Sequence, residues 1–255
     1  MLSPMGLDKP IWYRYTFILD NGSKKVFEVQ LDSKTLNIIP KTNGEPPIWA
    51  RLDYSPCDHC PLNPAKNEKY CPIAVNMAPV VESFKDIVSC QTTDVLMESE
   101  ERNVFKKKVA VQTALYPLMG IYMSASGCPS MEKLKPLVRY HLPFSSVEET
   151  VYRVVSMYVL AQYIRMRGGL DPDWELGGIG RLYDQIKQVN KSFCARLQKA
   201  VDKDALVNAV VILDAFASLI KSPGQKSVDM LRQLFTPYLK EERSQSGSAK
   251  DGRVS

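Results

Sequence analysis

The chain has 255 residues, 45% hydrophobic and 24% charged, which is the composition of an ordinary globular protein. This length permits one large domain or two modest ones whose cores need no disulfides. No apolar run reaches 18 residues, which argues against a membrane span, and Lys9 and Pro10 stand where a secretory signal needs an apolar core. We therefore expect a soluble cytoplasmic protein whose six cysteines are thiols or metal ligands rather than disulfides.

The net charge of +5 is spread evenly along the chain, with a surplus of +2 in residues 1–143 and +3 in residues 144–255. A surface that binds nucleic acid usually concentrates its basic residues in one region. We therefore expect no specific nucleic-acid partner and no membrane partner, and we look to another protein, of unknown identity, as the partner.

The N-terminal residues predict an antiparallel β meander. Residues 11–19 and 24–31 alternate between two faces, and Asn21-Gly22 between them is a strong hairpin signal. Thr35–Ile39 and Ile48–Tyr54 predict a third and a fourth short strand.

Two helices and a second hairpin follow the cysteine-rich segment. Apolar residues at helical spacing predict a helix with Pro79 at its first position. Thr92–Glu98 and Val104–Lys108 predict the hairpin, and residues 111–124 predict an apolar helix that ends at Ser126-Gly127.

From residue 146 onward the pattern is helical. Ser146 and Glu149 form a capping box for a helix that runs to about Arg167. Because residues 154–161 are apolar on most sides, this helix is predicted to be the central, buried one. Three further amphipathic helices are predicted over residues 179–197, 206–220 and 228–238, which together indicate a compact bundle.

The predicted fold class is therefore α+β. Its parts are a β-rich region over residues 11–143, which includes the cysteine segment, and a helical bundle over residues 144–240. Residues 1–10 and 244–255 are predicted to be flexible tails.

Four cysteines are the candidate metal ligands: Cys57, Cys60, Cys71 and Cys128. A Cys-x2-Cys pair such as Cys57 and Cys60 directs two thiolates at one point, which suits tetrahedral coordination. Cys60, Cys71 and Cys128 each precede a proline, which can start a helical turn whose free N–H groups favour a thiolate. Zinc is the leading interpretation. An iron–sulfur cluster, or plain buried or redox-active thiols, are the alternatives.

The two histidines, His59 and His141, are candidates for groups that support the metal or for alternative ligands. His59 lies between the two closely spaced cysteines. His141 precedes the capped helix and is interpreted as a capping or packing residue, with a fourth ligand or a base near Cys128 as the alternative.

Three stretches form a recognisable pattern: Cys57-Asp-His-Cys60-Pro-Leu, Ser126-Gly-Cys128-Pro, and His141-Leu-Pro-Phe144 followed by Glu148-Glu149-Thr-Val-Tyr152-Arg153. Together they resemble a family of uncharacterised bacterial proteins of similar length, over about residues 12–240. The resemblance implies a bacterial cytoplasmic origin and no particular activity.

The expected function is therefore that of a metal-binding interaction or regulatory protein with a structural zinc, rather than an enzyme. An iron–sulfur redox or sensor protein is the first alternative, and an enzyme that uses Cys128 or the metal is the second. A closed shell of four cysteines would favour the first reading, and an open ligand position would favour an enzyme.

Overall fold

The computed structural model describes residues 9–40, 44–62, 68–221 and 231–239. The strands are β1 (Ile11–Leu19), β2 (Lys24–Leu31), β3 (Thr92–Ser99) and β4 (Asn103–Ala110). The helices are α1 (Pro72–Phe84), α2 (Val111–Ala125), α3 (Lys135–Arg139), α4 (Val147–Arg167), α5 (Gly177–Gln198) and α6 (Ala205–Lys221). Within these ranges, every helix is too short or too polar to cross a membrane.

The four strands form one antiparallel sheet in the order β2-β1-β3-β4, so the α+β class is confirmed. Alternation places Tyr13, Tyr15 and Phe17 of β1 on the inner face, where each is at most 2% exposed. The predicted meander order is wrong. Strand β3 returns to pair with β1, with Tyr15 opposite Met97, because the sheet is built from two hairpins that meet along their first strands.

The two further predicted N-terminal strands are absent from the described residues. In the first, Thr35–Ile39, only Ile38 bridges to the sheet. The chain turns before it because the Asp32 carboxylate accepts hydrogen bonds from the backbone N–H groups of Lys34 and Thr35. The second, Ile48–Tyr54, consists of two short 3-10 turns, Ile48–Ala50 and Leu52–Tyr54.

Helix α1 begins seven residues before the predicted position. Pro72 occupies its first turn, and Pro79 lies inside the helix instead of at its start. Helix α1 covers the inner face of the sheet, where Phe84 packs edge-on against Phe17 with ring centroids 5.1 Å apart. Helix α2 was predicted almost to the residue, and Ser126 follows its last turn.

Helices α5 and α6 pack against each other, and α6 also packs against α2. Buried residues from both sides of residue 143 therefore belong to one continuous hydrophobic core. The boundary predicted at 143 stays a prediction. Residues 228–230 of the last predicted helix lie outside the described residues, as do both predicted tails apart from Lys9 and Pro10.

Helix α4 is not the central, buried helix that its composition predicts. Its capping box is confirmed, since Ser146 Oγ accepts from Glu149 N at 3.1 Å and Glu149 Oε2 accepts from Ser146 N at 2.7 Å. Along its length, however, only Val151, Val154 and Gln162 are buried. The helix lies on the surface, where Val155 and Tyr158 are half-buried against the core and most of its other large apolar side chains are exposed.

Candidate metal centre

Cys57 and Cys60 lie in a tight turn, and Cys71 lies at the start of α1. The Cys60 N–H donates to the Cys57 carbonyl at 3.1 Å, which closes the turn. Cys71 is the N-cap residue of α1, and its own N–H donates to the carbonyl of Ala50 at 2.8 Å. The fold thus joins the Cys71 segment to the 3-10 turns that precede Cys57.

Cys128 is brought to the same region from the end of α2. Gly127 adopts a φ of +88°, a left-handed conformation that glycine takes without strain, and so reverses the chain. The predicted helix start at Cys128 is a 3-10 turn, in which Met131 N donates to the Cys128 carbonyl. The Asn76 side-chain amide donates to the carbonyls of Pro72, at 2.8 Å, and Ser126, at 3.5 Å, which ties the start of α1 to the end of α2.

All four candidate cysteines line one cavity of about 20 Å³, to which α5 also contributes side chains. This volume is close to what a single water-sized guest needs. Among the residues that the structure describes, however, no three His, Cys, Asp or Glu side chains are arranged to hold a metal ion. The thiols therefore share one cavity without converging at coordinating distance on one point.

Arg196 of α5 lies beside this cavity and is 2% exposed. Its guanidinium donates to four backbone carbonyls of the preceding loop, those of Trp49, Arg51, Leu52 and Ser55. Within the described part of the chain, no ion pair joins it to a carboxylate. A buried positive charge is thus held against the cysteines by neutral groups alone.

Burial raises the pKa of three of the four thiols. It raises the pKa of Cys128 to about 12, against the Ser130 N–H, which lowers it. It also raises the pKa of Cys57 and Cys71, although the Arg196 charge favours both thiolates and the Ala74 N–H favours that of Cys71. Without a cation in the cavity, these thiols are therefore protonated at neutral pH.

Neither histidine lines the cavity. His59, between the two close cysteines, has both ring nitrogens buried without a hydrogen-bond partner among the described residues. His141 lies at the sheet, where its Nε2 is 2.5 Å from the Tyr15 hydroxyl and its ring packs edge-on against Tyr13. The packing interpretation of His141 fits this position better than a role beside Cys128.

Sequence reasoning missed Arg196, although a signal for it exists. The buried stripe of α5 includes Val189, Phe193 and Leu197, and Arg196 falls on that stripe at helical spacing from Phe193. A charged residue on an apolar stripe indicates either a buried charge or the edge of the stripe. The sequence does not say which, because the carbonyls that bind Arg196 lie more than 140 residues away.

A larger cavity of about 730 Å³ lies elsewhere and is lined mainly by residues of α3, α4 and α5. Its charged side chains largely pair with one another or with backbone, as in the Lys135–Glu132 pair at 3.1 Å and the bond from Arg165 to the Asp171 carbonyl. It contains no cysteine and no histidine. The cysteine cavity is smaller, but it is the one lined by the candidate metal ligands.

A family model described as a domain of unknown function, DUF6901, matches residues 11–236. The chain belongs to this family, which confirms the resemblance to uncharacterised proteins. The searches of curated proteins and of solved structures found no match.

Proposed function

We propose that this protein is a metal-binding interaction or regulatory protein whose structural zinc is held by Cys57, Cys60, Cys71 and Cys128. One observation carries the proposal: four cysteines from three separate chain segments border a single cavity of about 20 Å³. Zinc in structural sites is tetrahedral and prefers thiolate and imidazole ligands. To bind zinc, the four thiolates would have to converge on one ion inside this cavity.

The charges around the cavity suit such a centre. Four thiolates and one Zn²⁺ carry a net charge of −2, and Arg196 supplies a buried positive charge that has no carboxylate partner among the described residues. Burying a charge costs free energy unless an opposite charge accompanies it. The metal centre would be the counter-charge of Arg196, and Arg196 would favour the thiolates.

An iron–sulfur cluster is the second candidate, since four cysteines can also ligate one. The cavity volume of about 20 Å³ favours zinc. A single ion fits that space, whereas a cluster of several iron and sulfur atoms would push the cysteine turn, the start of α1 and α5 apart.

An enzymatic role receives less support. A four-cysteine shell leaves zinc no open position for a substrate or a water molecule. The pKa of Cys128, raised to about 12, makes this thiol a poor nucleophile without a metal or a base. His141, which the sequence offered as a candidate base, lies at the sheet instead.

The interaction role rests on the surface. Seven large apolar side chains of α4 are exposed, and a surface patch of this kind on a helix is typical of a contact with another protein chain. The even charge along the chain continues to argue against nucleic acid. The zinc centre would then hold the N-terminal part on a C-terminal helical bundle, in a cytoplasmic protein.

Native mass spectrometry of protein purified without oxygen tests the proposal. We expect one zinc per chain and loss of zinc in the Cys60→Ser variant. Cys90→Ser is the matched control, because Cys90 is exposed and outside the cavity, and it should keep the zinc. Iron with sulfide, and a brown colour, would assign the centre to the alternative. Metal-free protein with four freely reactive thiols would refute both.

A further inference from the structure

Helix α4 carries an exposed apolar face. Tyr152, Val159, Tyr163 and Met166 are 39–47% exposed, and Ser156 is exposed between them. Their spacing alternates between three and four residues, so they form one seam along the helix. Leu160 and Ile164, 58% and 62% exposed, widen the seam on one side.

This seam spans residues 152–166, which is roughly 21 Å of helix at about 1.5 Å per residue. A water-exposed apolar strip of four helical turns is unfavourable for an isolated chain. The opposite side of α4 already packs against the protein through Val151, Val154 and Gln162. The packing of α4 against its own chain therefore leaves the seam uncovered.

We propose that the seam is a dimer interface, in which α4 pairs antiparallel with α4 of a second copy of the chain. The charges of the helix are arranged for this pairing. Glu148 lies in its first turn and Arg165 and Arg167 in its last, so an antiparallel neighbour places acidic ends opposite basic ends. A parallel pair would place like charges together.

The register follows from the seam itself. A twofold axis between residues 157 and 158 places Tyr152 opposite Tyr163 and Glu148 opposite Arg167 of the second copy. The same axis places Ser156 opposite Val159, so that a small side chain stands where the two helices come closest. One patch thus meets itself, as the interface of a twofold dimer requires.

The choice of a second copy over residues 222–230 or 240–255 of the same chain rests on composition. Residues 240–255 contain Ala249 and Val254 as their only aliphatic residues, too few to cover the seam. Residues 222–230 are also mostly polar, with Val228 and Met230 as the larger apolar members. The dimer does not depend on the zinc centre, because no residue of the seam lines the cysteine cavity.

Analytical ultracentrifugation of the full-length protein tests the dimer. We expect a monomer–dimer equilibrium in the micromolar range, which Tyr163→Glu weakens at least about tenfold, as loss of a central interface tyrosine does. Val211→Glu is the matched control. Val211 is 51% exposed on α6, outside the seam, and its substitution should leave the equilibrium unchanged.

Charge reversal tests the antiparallel register. Glu148→Arg alone and Arg167→Glu alone should each weaken the dimer, and the double variant should restore it, since each residue then faces its new opposite. Circular dichroism checks that α4 remains folded in each variant. A wild-type chain that stays monomeric overturns the proposal. The seam would then be covered by residues 1–8 or by a different protein. A dimer that is insensitive to Tyr163→Glu, or a double variant as weak as the single ones, overturns it as well.

Discussion

His141 shows how strongly one side chain can depend on its surroundings. Its ring lies against Tyr13 and Tyr15 of β1, and its Nε2 shares a short hydrogen bond with the fully buried Tyr15 hydroxyl. Burial, together with the smaller effect of the positive charges of Arg153 and Arg102, lowers the pKa of His141 to about 3. The neutral imidazole is therefore part of the native packing.

This shift predicts a pH dependence of stability. In the unfolded chain, His141 takes up a proton near its ordinary pKa of about 6.5, whereas in the native state it stays neutral down to about pH 3. The unfolded state thus binds more protons between these values, so the free energy of unfolding falls with decreasing pH, by up to about 1.4 kcal/mol per pH unit. Urea denaturation between pH 7 and pH 4 measures this change in the free energy of unfolding.

The matched variant is His141→Gln, which keeps a polar side chain but does not titrate. It should be less stable than the wild type at pH 7, because the Tyr15 hydroxyl loses its partner, yet its stability should fall less steeply with pH. Equal slopes in the two proteins would show that His141 is already accessible to protons in the native state.

At the scale of the element, the junction between α4 and α5 depends on one glycine. The Asp173 carboxylate accepts from Gly178 N at 2.6 Å and from the Tyr158 hydroxyl at 2.8 Å, and so caps the start of α5. A Cβ at Gly178 would overlap the Tyr158 hydroxyl and lie 3.0 Å from Asp173 Oδ2. The side chain of Tyr158 thus occupies the space that any residue other than glycine would need.

We therefore expect Gly178→Ala to lower the free energy of unfolding by about 1–3 kcal/mol, as overpacking does. Gly177→Ala is the control, since its Cβ would meet its nearest neighbour, Arg181 Nη1, at an ordinary 3.5 Å. That change should stay within about 0.5 kcal/mol of the wild type. Thermal or urea denaturation of both variants decides the point, and an equal loss in the two would locate the strain in the backbone instead of at Tyr158.

The elements that the sequence predicted well are those fixed by neighbours in the chain. Alternation and the Asn21-Gly22 turn predicted β1 and β2 at their observed bounds, and the capping box located the start of α4. The strand predicted at residues 48–54 was wrong, because the conformation of this segment depends on hydrogen bonds from Arg196, far along the chain. The predicted burial of α4 was wrong, because an apolar sequence does not indicate whether the helix packs against its own chain or against another molecule.

The candidate site was predictable only in part, for the same reason. The spacing of the cysteines singled out Cys57, Cys60, Cys71 and Cys128, and the fold brings all four to one cavity. Their common position depends on the contact between α1 and α2 through Asn76. No local sequence pattern predicts this contact. The zinc itself stays a prediction.

At the scale of the whole molecule, a metal centre would connect the N-terminal part to the helices behind it. Residues 56–72 contain little apolar surface of their own, and ordering each residue costs about 1–2 kcal/mol of backbone entropy. Structural zinc contributes on the order of 10 kcal/mol to folding a small site. Helices α5 and α6, by contrast, are held by their own buried faces.

We therefore expect chelation, or Cys60→Ser, to open residues 56–72 to protease while fragments that contain α5 and α6 stay resistant. Limited proteolysis with mass mapping measures this, and Cys90→Ser, outside the cavity, should cleave like the wild type. Equal protection of residues 56–72 with and without metal would mean that packing, and not coordination, holds the cysteines.

X-ray absorption at the zinc edge of the purified full-length protein tests the central claim most directly, because it reports the ligands themselves. The account predicts one zinc with four sulfur neighbours at about 2.3 Å and no nitrogen or oxygen neighbour. The spectrum should lose one sulfur in Cys128→Ser if zinc is retained, since Cys128 is the ligand from the separate segment after α2. A shell with nitrogen or oxygen ligands, or a protein that binds no zinc, would contradict the four-cysteine centre.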